Sequence, residues 1–368
     1  MKKIKKWLNQ SFYTKPLSPA CRMCAEGSKM VLLVTGLCPA DCFYCPLSFE
    51  KKGQDRIFAD EWELKDENDF EKIFLEAKYI DAKGAGITGG DPLQVWRRTK
   101  NYISFLKKNF GEKFHIHLYT SGVKNTEHIP DLVSAGLDEI RFHPNPFLWD
   151  KMDKNPYSHA FKKALDADVD VAIEIPCIPD KEIEIISMIK WADSIGIKWI
   201  NLNELEYSET NAEELNRIGY TVKDDISAAV KNSEGTALKI INTLSKVNLS
   251  VGIHYCSSSF KDGIQLRNRI MRRAKNIATD IDIITEDGTL LKAVIEPDDQ
   301  NIEKILVFLI TLIDKDKIFL NKEKNRIELH IKTLKKISKN LKEKNIKSYI
   351  IEQYPTADSL EVERMPIS

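Results

Sequence analysis

Seven short apolar runs, separated by stretches of helical periodicity, constrain this chain more than any other feature. The runs are MVLLVTG (30–36), GAGIT (84–88), FHIHLYT (114–120), DEIRFH (138–143), VDVAIEIP (169–176), WINLNELE (199–206) and LSVGIHY (249–255). Helical spacing fills 66–80, 97–109, 157–167 and 182–195. Strands alternating with helices of this length form βα units around a parallel sheet, an α/β architecture. Six or seven such units make a full or partial (β/α) barrel, whose chemistry gathers at the C-terminal ends of the strands. Residues just past each strand are therefore the first candidates for function.

After about residue 275 the pattern changes. The segment IDIITEDGTLLKAVIE reads as a hairpin turning at Asp287-Gly288. A helix near 299–314, two strands around 317–331, a helix near 331–344 and the strand IKSYIIEQY follow. The expected division is an N-terminal segment (1–29), a barrel (30–275) and an α+β module (276–368). The tail YPTADSLEVERMPI is expected to fold back over the barrel mouth.

At 368 residues the chain is long enough to bury a large core without disulfides. Lys plus Arg (55) equals Asp plus Glu (55), so bulk charge names no partner. With 42% apolar and 30% charged residues, the composition is that of a soluble globular protein. The basic start MKKIKKWLNQ leads into no apolar run, so no signal peptide is read. The longest apolar stretch, Ile305 to Ile313, falls far short of the ~20 residues that span a bilayer and reads as a buried helix. A cytoplasmic protein without a membrane partner is expected.

Seven cysteines, at 21, 24, 38, 42, 45, 177 and 256, are clustered rather than spread. Such clustering suits metal binding in a reducing compartment better than a disulfide framework. Cys38-x3-Cys42-x2-Cys45 follows the first strand directly. Thiolates bind soft metals and iron–sulfur clusters. Three of them in one loop can hold three irons of a cubane and leave the fourth open. A zinc site completed elsewhere is the alternative that the spacing alone leaves open.

This triad after the first strand of a (βα)n pattern, with Tyr44 before its last cysteine, resembles the signature of the radical S-adenosylmethionine (SAM) superfamily. Past the second strand, Gly89-Gly90-Asp91-Pro92 resembles that family's glycine-rich motif. The pairing of the two motifs on successive strands sets zinc aside. The resemblance covers about 28–260 in pattern and implies a radical SAM partial (β/α) barrel. It implies a [4Fe–4S] cluster on Cys38, Cys42 and Cys45, with SAM on the open iron. Reduction then cleaves SAM to methionine and a 5′-deoxyadenosyl radical that starts modification of a substrate. Tyr44, Gly89, Gly90 and Asp91 are implied to help hold SAM. Ser121, Arg141, Glu174 and Asn203, at the ends of later strands, are further candidates for contacts to it, as is Asn201. Taken whole, the chain is similar to an archaeal radical SAM group of unassigned reaction.

Outside that resemblance, Cys21-x2-Cys24 is half of a metal site. Closure of the barrel would bring Cys256 to it, giving either a second iron–sulfur cluster with an open iron or a zinc or iron–sulfur site completed by Cys177 or a histidine such as His254; the alternative is a surface cysteine pair and two buried, inert cysteines. His115 and His117 alternate with apolar residues, and one is expected to face the interior and the other the helices. Lys261, Gln265, Arg269 and Arg272 are expected to share one cationic helix face. Residues 322–347 hold ten Lys or Arg and three Glu; this is a solvated face or an RNA-binding one. The substrate expected is an RNA base or a protein side chain, with electrons from a ferredoxin or flavodoxin. The competing readings are a glycyl-radical activating enzyme, or a non-enzymatic zinc or iron–sulfur protein that binds RNA or a partner.

Overall fold

Two contact-defined units make up the computed structural model, which describes residues 4–154, 157–224, 227–297 and 301–367. The first runs to Lys78 and continues through Ala82–Leu266; the second takes Tyr79–Asp81 and the chain from Arg267 on.

The first unit begins with two short strands, β1 (Lys5–Lys6) and β2 (Phe12–Tyr13). Helix α1 (Pro19–Glu26) follows, and its limits are written in the sequence. The Ser18 side chain accepts from the Cys21 amide, Pro19 takes the first turn, and Gly27 ends the helix with φ 66°. Next come β3 (Lys29–Leu33), a hairpin of β4 (Phe58–Ala59) and β5 (Trp62–Glu63), and α2 (Phe70–Tyr79). Strands then alternate with helices: β6 (Gly84–Thr88), α3 (Trp96–Phe110), β7 (His115–Thr120), α4 (Ile129–Ser134), β8 (Glu139–Phe142), α5 (Tyr157–Asp166) and β9 (Asp170–Cys177). The series closes with α6 (Glu182–Ser194), β10 (Trp199–Glu204), α7 (Ala212–Ile218), α8 (Ser233–Leu244), β11 (Gly252–Cys256) and the short α9 (Ser258–Phe260).

The sheet order is β1-β2-β11-β10-β9-β8-β7-β6-β3-β4-β5, and all seven strands from β3 through β11 that the apolar runs marked are parallel. Its two ends are not joined among the described residues, so the unit is a partial (β/α) barrel. The small hairpins at each end are additions that their two-residue strands hid from periodicity.

Side chains alternate across a strand, so each strand presents one set to the outer helices and one to the interior. Phe142 of β8 packs on Phe161 of α5 with ring centroids 4.2 Å apart, which fixes the outer face. Glu139 and Arg141 therefore point inward. By register the same face carries Lys29, His117, Tyr119, Glu174, Asn201, Asn203, His254 and Cys256. His115 and His117 share this face, 6.0 Å between ring centroids, because residues two apart on a strand point the same way. The expected division of the pair between interior and helices is overturned. The network described below ties much of this polar interior together, while both His254 ring nitrogens, Nδ1 of His115 and of His117, Glu139 Oε2 and Asn201 Oδ1 have no hydrogen-bond partner among the described residues.

The second unit begins with α10 (Arg267–Ile277) and continues through β12 (Ile283–Ile284), β13 (Leu290–Ile295), α11 (Ile302–Ile310), β14 (Phe319–Asn321), β15 (Arg326–Leu329), α12 (Ile331–Glu343), β16 (Ser348–Gln353) and β17 (Glu361–Pro366). It is an antiparallel α+β module with the order β14-β15-β13-β16-β17, and β12 pairs with β13 across the turn at Asp287-Gly288. Ala293, Ile295, Ile305, Leu309, Ile327, Leu329, Leu334, Ile337 and Leu341 form its own core. Within the tail, Glu361–Pro366 adds a strand antiparallel to β16. The apolar stretch at 305–313 is only partly buried, since Val307 is 66% exposed. Residues Lys261–Leu266 form a π-helical turn before α10, which breaks the 3.6-residue spacing on which a continuous cationic face depended. Among the described residues no helix is long and apolar enough to cross a membrane.

Candidate metal centre

Cys38, Cys42 and Cys45 lie in the long loop between β3 and β4, at the C-terminal end of β3, and all three are free thiols. Cys38 is exposed, and the other two are half-buried. Backbone hydrogen bonds hold the loop on every side. The Gly36 amide donates to the Gln54 carbonyl at 2.8 Å, and the Gly53 amide donates back to Gly36 at 2.9 Å. The amides of Gly90 and Asp91 donate to the carbonyls of Thr35 and Leu37, both at 2.7 Å. From the far side, Thr210 Oγ1 donates to the Cys45 carbonyl at 2.9 Å and Asn211 Nδ2 to that of Tyr44 at 3.2 Å. Arg98 secures the base through Asp55, which also accepts from Thr35 Oγ1.

This packing demands glycine. A Cβ at Gly90 would stand 2.3 Å from the Leu37 carbonyl oxygen, and one at Gly36 would stand 1.6 Å from that of Lys51. The glycines past β6 let a backbone shelf lie directly against the cysteine loop.

Asp91 caps that shelf. Its buried carboxylate accepts from the Leu93 amide and Thr120 Oγ1 on one oxygen, at 3.0 and 2.9 Å. The other oxygen accepts from the Ser121 amide at 3.0 Å and Ser121 Oγ at 2.5 Å. Burial pushes its pKa up despite these donors. Ser121 thus serves Asp91. Tyr44 is buried, with its hydroxyl 2.9 Å from His143 Nε2.

Desolvation of the sulfur by the surrounding loop, opposed in part by the Ala40 amide, pushes the Cys38 thiol up to about 12, and Asp91, Cys42 and Cys45 add to the rise. Burial also raises Cys42 against the Tyr44 hydroxyl. These shifts of Cys38 and Cys42 favour the protonated thiols, so metal binding to them would release protons. Among the described residues no group of three or more His, Cys, Asp or Glu side chains is placed, without rearrangement, so that it could hold a metal ion, here or elsewhere. The donor set fits a [4Fe–4S] cluster nonetheless: three thiols in one short loop, on the open side of a shelf that tolerates no side chain.

Arg141, Glu174 and Asn203 are brought together away from Asp91, in the barrel interior beside α1. Arg141 donates to Glu139 Oε1 at 2.7 Å, Ser18 Oγ at 2.7 Å, Cys21 Sγ at 3.4 Å and Glu174 Oε2. Asn203 Nδ2 donates to Glu174 Oε1 and Asn201 Nδ2 to Asn203 Oδ1, both at 2.9 Å. Burial works to raise Glu174, but Arg141 and Asn203 outweigh it and hold the carboxyl below its ordinary range. Burial likewise works to raise Cys21, and Arg141 and His254 outweigh it, holding the thiol near 5. Sequence reasoning missed Lys29 and Glu139 in this network. A charged residue inside an apolar strand, in phase with other inward positions, was the signal that would have found them. Cys177 ends β9 on the outer face, in phase with Ile173 and Ile175, so it belongs to neither thiol group.

The Radical SAM superfamily profile matches residues 32–192, and a family described as a domain of unknown function matches 288–367. A protein of Methanocaldococcus jannaschii, provisionally named a glycyl-radical enzyme activating enzyme, is 39% identical over 375 residues, spanning 100% of this chain and 96% of its own. Among solved structures, Streptococcus suis SuiB bound to S-adenosylmethionine aligns with TM-score 0.42 and 10% identity, covering 62% of this chain and 50% of SuiB. SuiB bound to its precursor peptide SuiA aligns with TM-score 0.38 and 13% identity, over 64% and 51%. The chain thus spans about half of SuiB's length. Identity held over the entire chain, and a superfamily profile that begins within β3 and takes in both the thiol loop and the glycine shelf, place this protein in the radical SAM superfamily of enzymes, which work with a [4Fe–4S] cluster and SAM.

Proposed function

We propose that Cys38, Cys42 and Cys45 hold the [4Fe–4S] cluster, that the Gly89–Gly90 shelf and Tyr44 hold SAM, and that the substrate is a protein. When bound, cluster and SAM supply reductive cleavage of SAM and the abstraction of a hydrogen atom from the substrate. The chain's own residues supply position. Gly90 and Asp91 fix the loop through their amides, and the glycines keep side chains out of the gap. The Asp91 carboxylate, with both oxygens already accepting from Leu93, Thr120 and Ser121, acts as a positioning group. The SAM ammonium then meets shelf backbone rather than that carboxylate. Arg141, Glu174 and Asn203 order the interior below the site instead of gripping SAM directly.

The observation that carries the protein substrate is the full-length identity to the Methanocaldococcus protein, whose name describes activation of a glycyl-radical enzyme. A glycyl radical on a partner enzyme is accordingly the product favoured here. RNA has less support, because the lysines of α12 have no interleaved aromatic side chains on which bases could stack. A ferredoxin or flavodoxin as electron donor, in a reducing cytoplasm, completes the proposal.

The test is isotope transfer. Cells of the source organism are grown in deuterated medium, and their protein and RNA fractions are offered separately to the reduced enzyme with SAM. Deuterium should enter 5′-deoxyadenosine from the protein fraction, read by mass spectrometry. Deuterium from the RNA fraction alone would contradict a protein substrate.

A further inference from the structure

Three thiols and one imidazole lie together in the first unit outside the Cys38 loop. Cys21 and Cys24 sit one turn apart on α1, and Cys256 ends β11. Cys21 and Cys256 are buried, and the Cys256 thiol lies within electrostatic reach of both Cys21 and Cys24. His254, two residues before Cys256 and on the same face of β11, lines a small cavity with Cys21. Its side chain is only 6% exposed, yet both ring nitrogens lack a hydrogen-bond partner. A buried imidazole without a partner is costly, because each unsatisfied group keeps its full desolvation penalty.

A second imbalance lies beside it. The Lys29 ammonium is buried, with Nζ 3.1 Å from His117 Nε2 and 3.4 Å from the Tyr119 hydroxyl. Among the described residues it makes no ion pair with a carboxylate. Glu174 and Glu139 are already engaged by Arg141. A buried ammonium held only by neutral groups calls for a nearby anion. Cys24 is the thiol next to it. The thiols also have donors of the kind that support metal thiolates: Arg141 on Cys21 at 3.4 Å and Gln265 Nε2 on Cys256 at 3.5 Å.

We propose that Cys21, Cys24, Cys256 and His254 form a second, closed metal centre for a soft metal, either one zinc ion or a further iron–sulfur cluster. Three thiolates around a divalent ion or a cluster core of the same charge carry a net charge of about −1, which the Lys29 ammonium balances. The imidazole supplies the fourth ligand and so closes the site, in contrast to the open three-thiol loop. This assignment does not depend on the identity of the substrate, nor on Cys38, Cys42 and Cys45 holding the first cluster.

The test uses the full chain with Cys38, Cys42 and Cys45 all changed to Ala, purified without oxygen and reconstituted with zinc or with iron and sulfide. The centre predicts about one zinc or about four irons per chain. Zinc at that ratio assigns the single ion, and iron with sulfide assigns the cluster. Adding Cys256→Ser should lower metal occupancy at least about tenfold, whereas Cys177→Ser should leave it unchanged. If Cys256→Ser does not fold, X-ray absorption on the triple variant decides: sulfur scatterers around the metal support the centre, and their absence overturns it. A folded triple variant that binds neither metal, or equal occupancy with and without Cys256→Ser, would also overturn it.

Discussion

A methyl group added at Gly90 would lie 2.3 Å from the Leu37 carbonyl oxygen and 2.6 Å from that of Gly36, so one of two backbone segments must move. Gly90→Ala should therefore lower stability by about 1–3 kcal/mol, and it should lose iron and SAM cleavage with it. Gly235, in α8 with nothing within 4 Å of its added Cβ, is the control, and Gly235→Ala should melt at or above the wild-type temperature. Thermal melts and iron content check both. At this scale the cysteine triad and the glycine pair were legible, because their chemistry fixes residue type and spacing. The surroundings of Asp91 were not. A carboxylate beside two glycines reads as a ligand for a cation, and only the placement of Leu93, Thr120 and Ser121 shows that both of its oxygens accept hydrogen bonds.

Strand β8 carries the least expected charge in the barrel. Glu139 is buried, Arg141 donates to its Oε1, and its Oε2 has no hydrogen-bond partner. Burial, opposed by Arg141, raises this carboxyl to about 7 from an ordinary 4.5. The folded chain then keeps a proton that the unfolded chain releases above 4.5. Its stabilising effect is complete below that value and is lost as pH rises toward 7. Glu139→Gln cannot ionise, so the melting temperature of the variant should fall less than that of the wild type between about pH 5 and 8. Parallel melting curves across that range would contradict the assignment. The elements themselves were legible where they were long and periodic: β9 and α3 lie within a residue or two of their expected limits. The two-residue strands β1, β2, β4 and β5 carry too few side chains to show alternation, and exposed, charged β17 has no apolar face to announce it.

The whole molecule joins a partial barrel, with its open thiol loop, to an α+β module that has its own apolar core. Strand–helix alternation revealed the first and its loss revealed the second, because periodicity reports which face of each element is buried. Neither pattern reports what the enzyme modifies, since substrate recognition rests on side chains from separate loops. The central claim is that Cys38, Cys42 and Cys45 hold the cluster that cleaves SAM. Its most direct measurement is 5′-deoxyadenosine formed by anaerobically reconstituted protein with SAM and dithionite. The wild type should form it, and Cys38→Ala, Cys42→Ala and Cys45→Ala should each abolish it while the protein stays folded. Equal product from wild type and the three variants, or none from a wild type that holds its iron, would contradict the account.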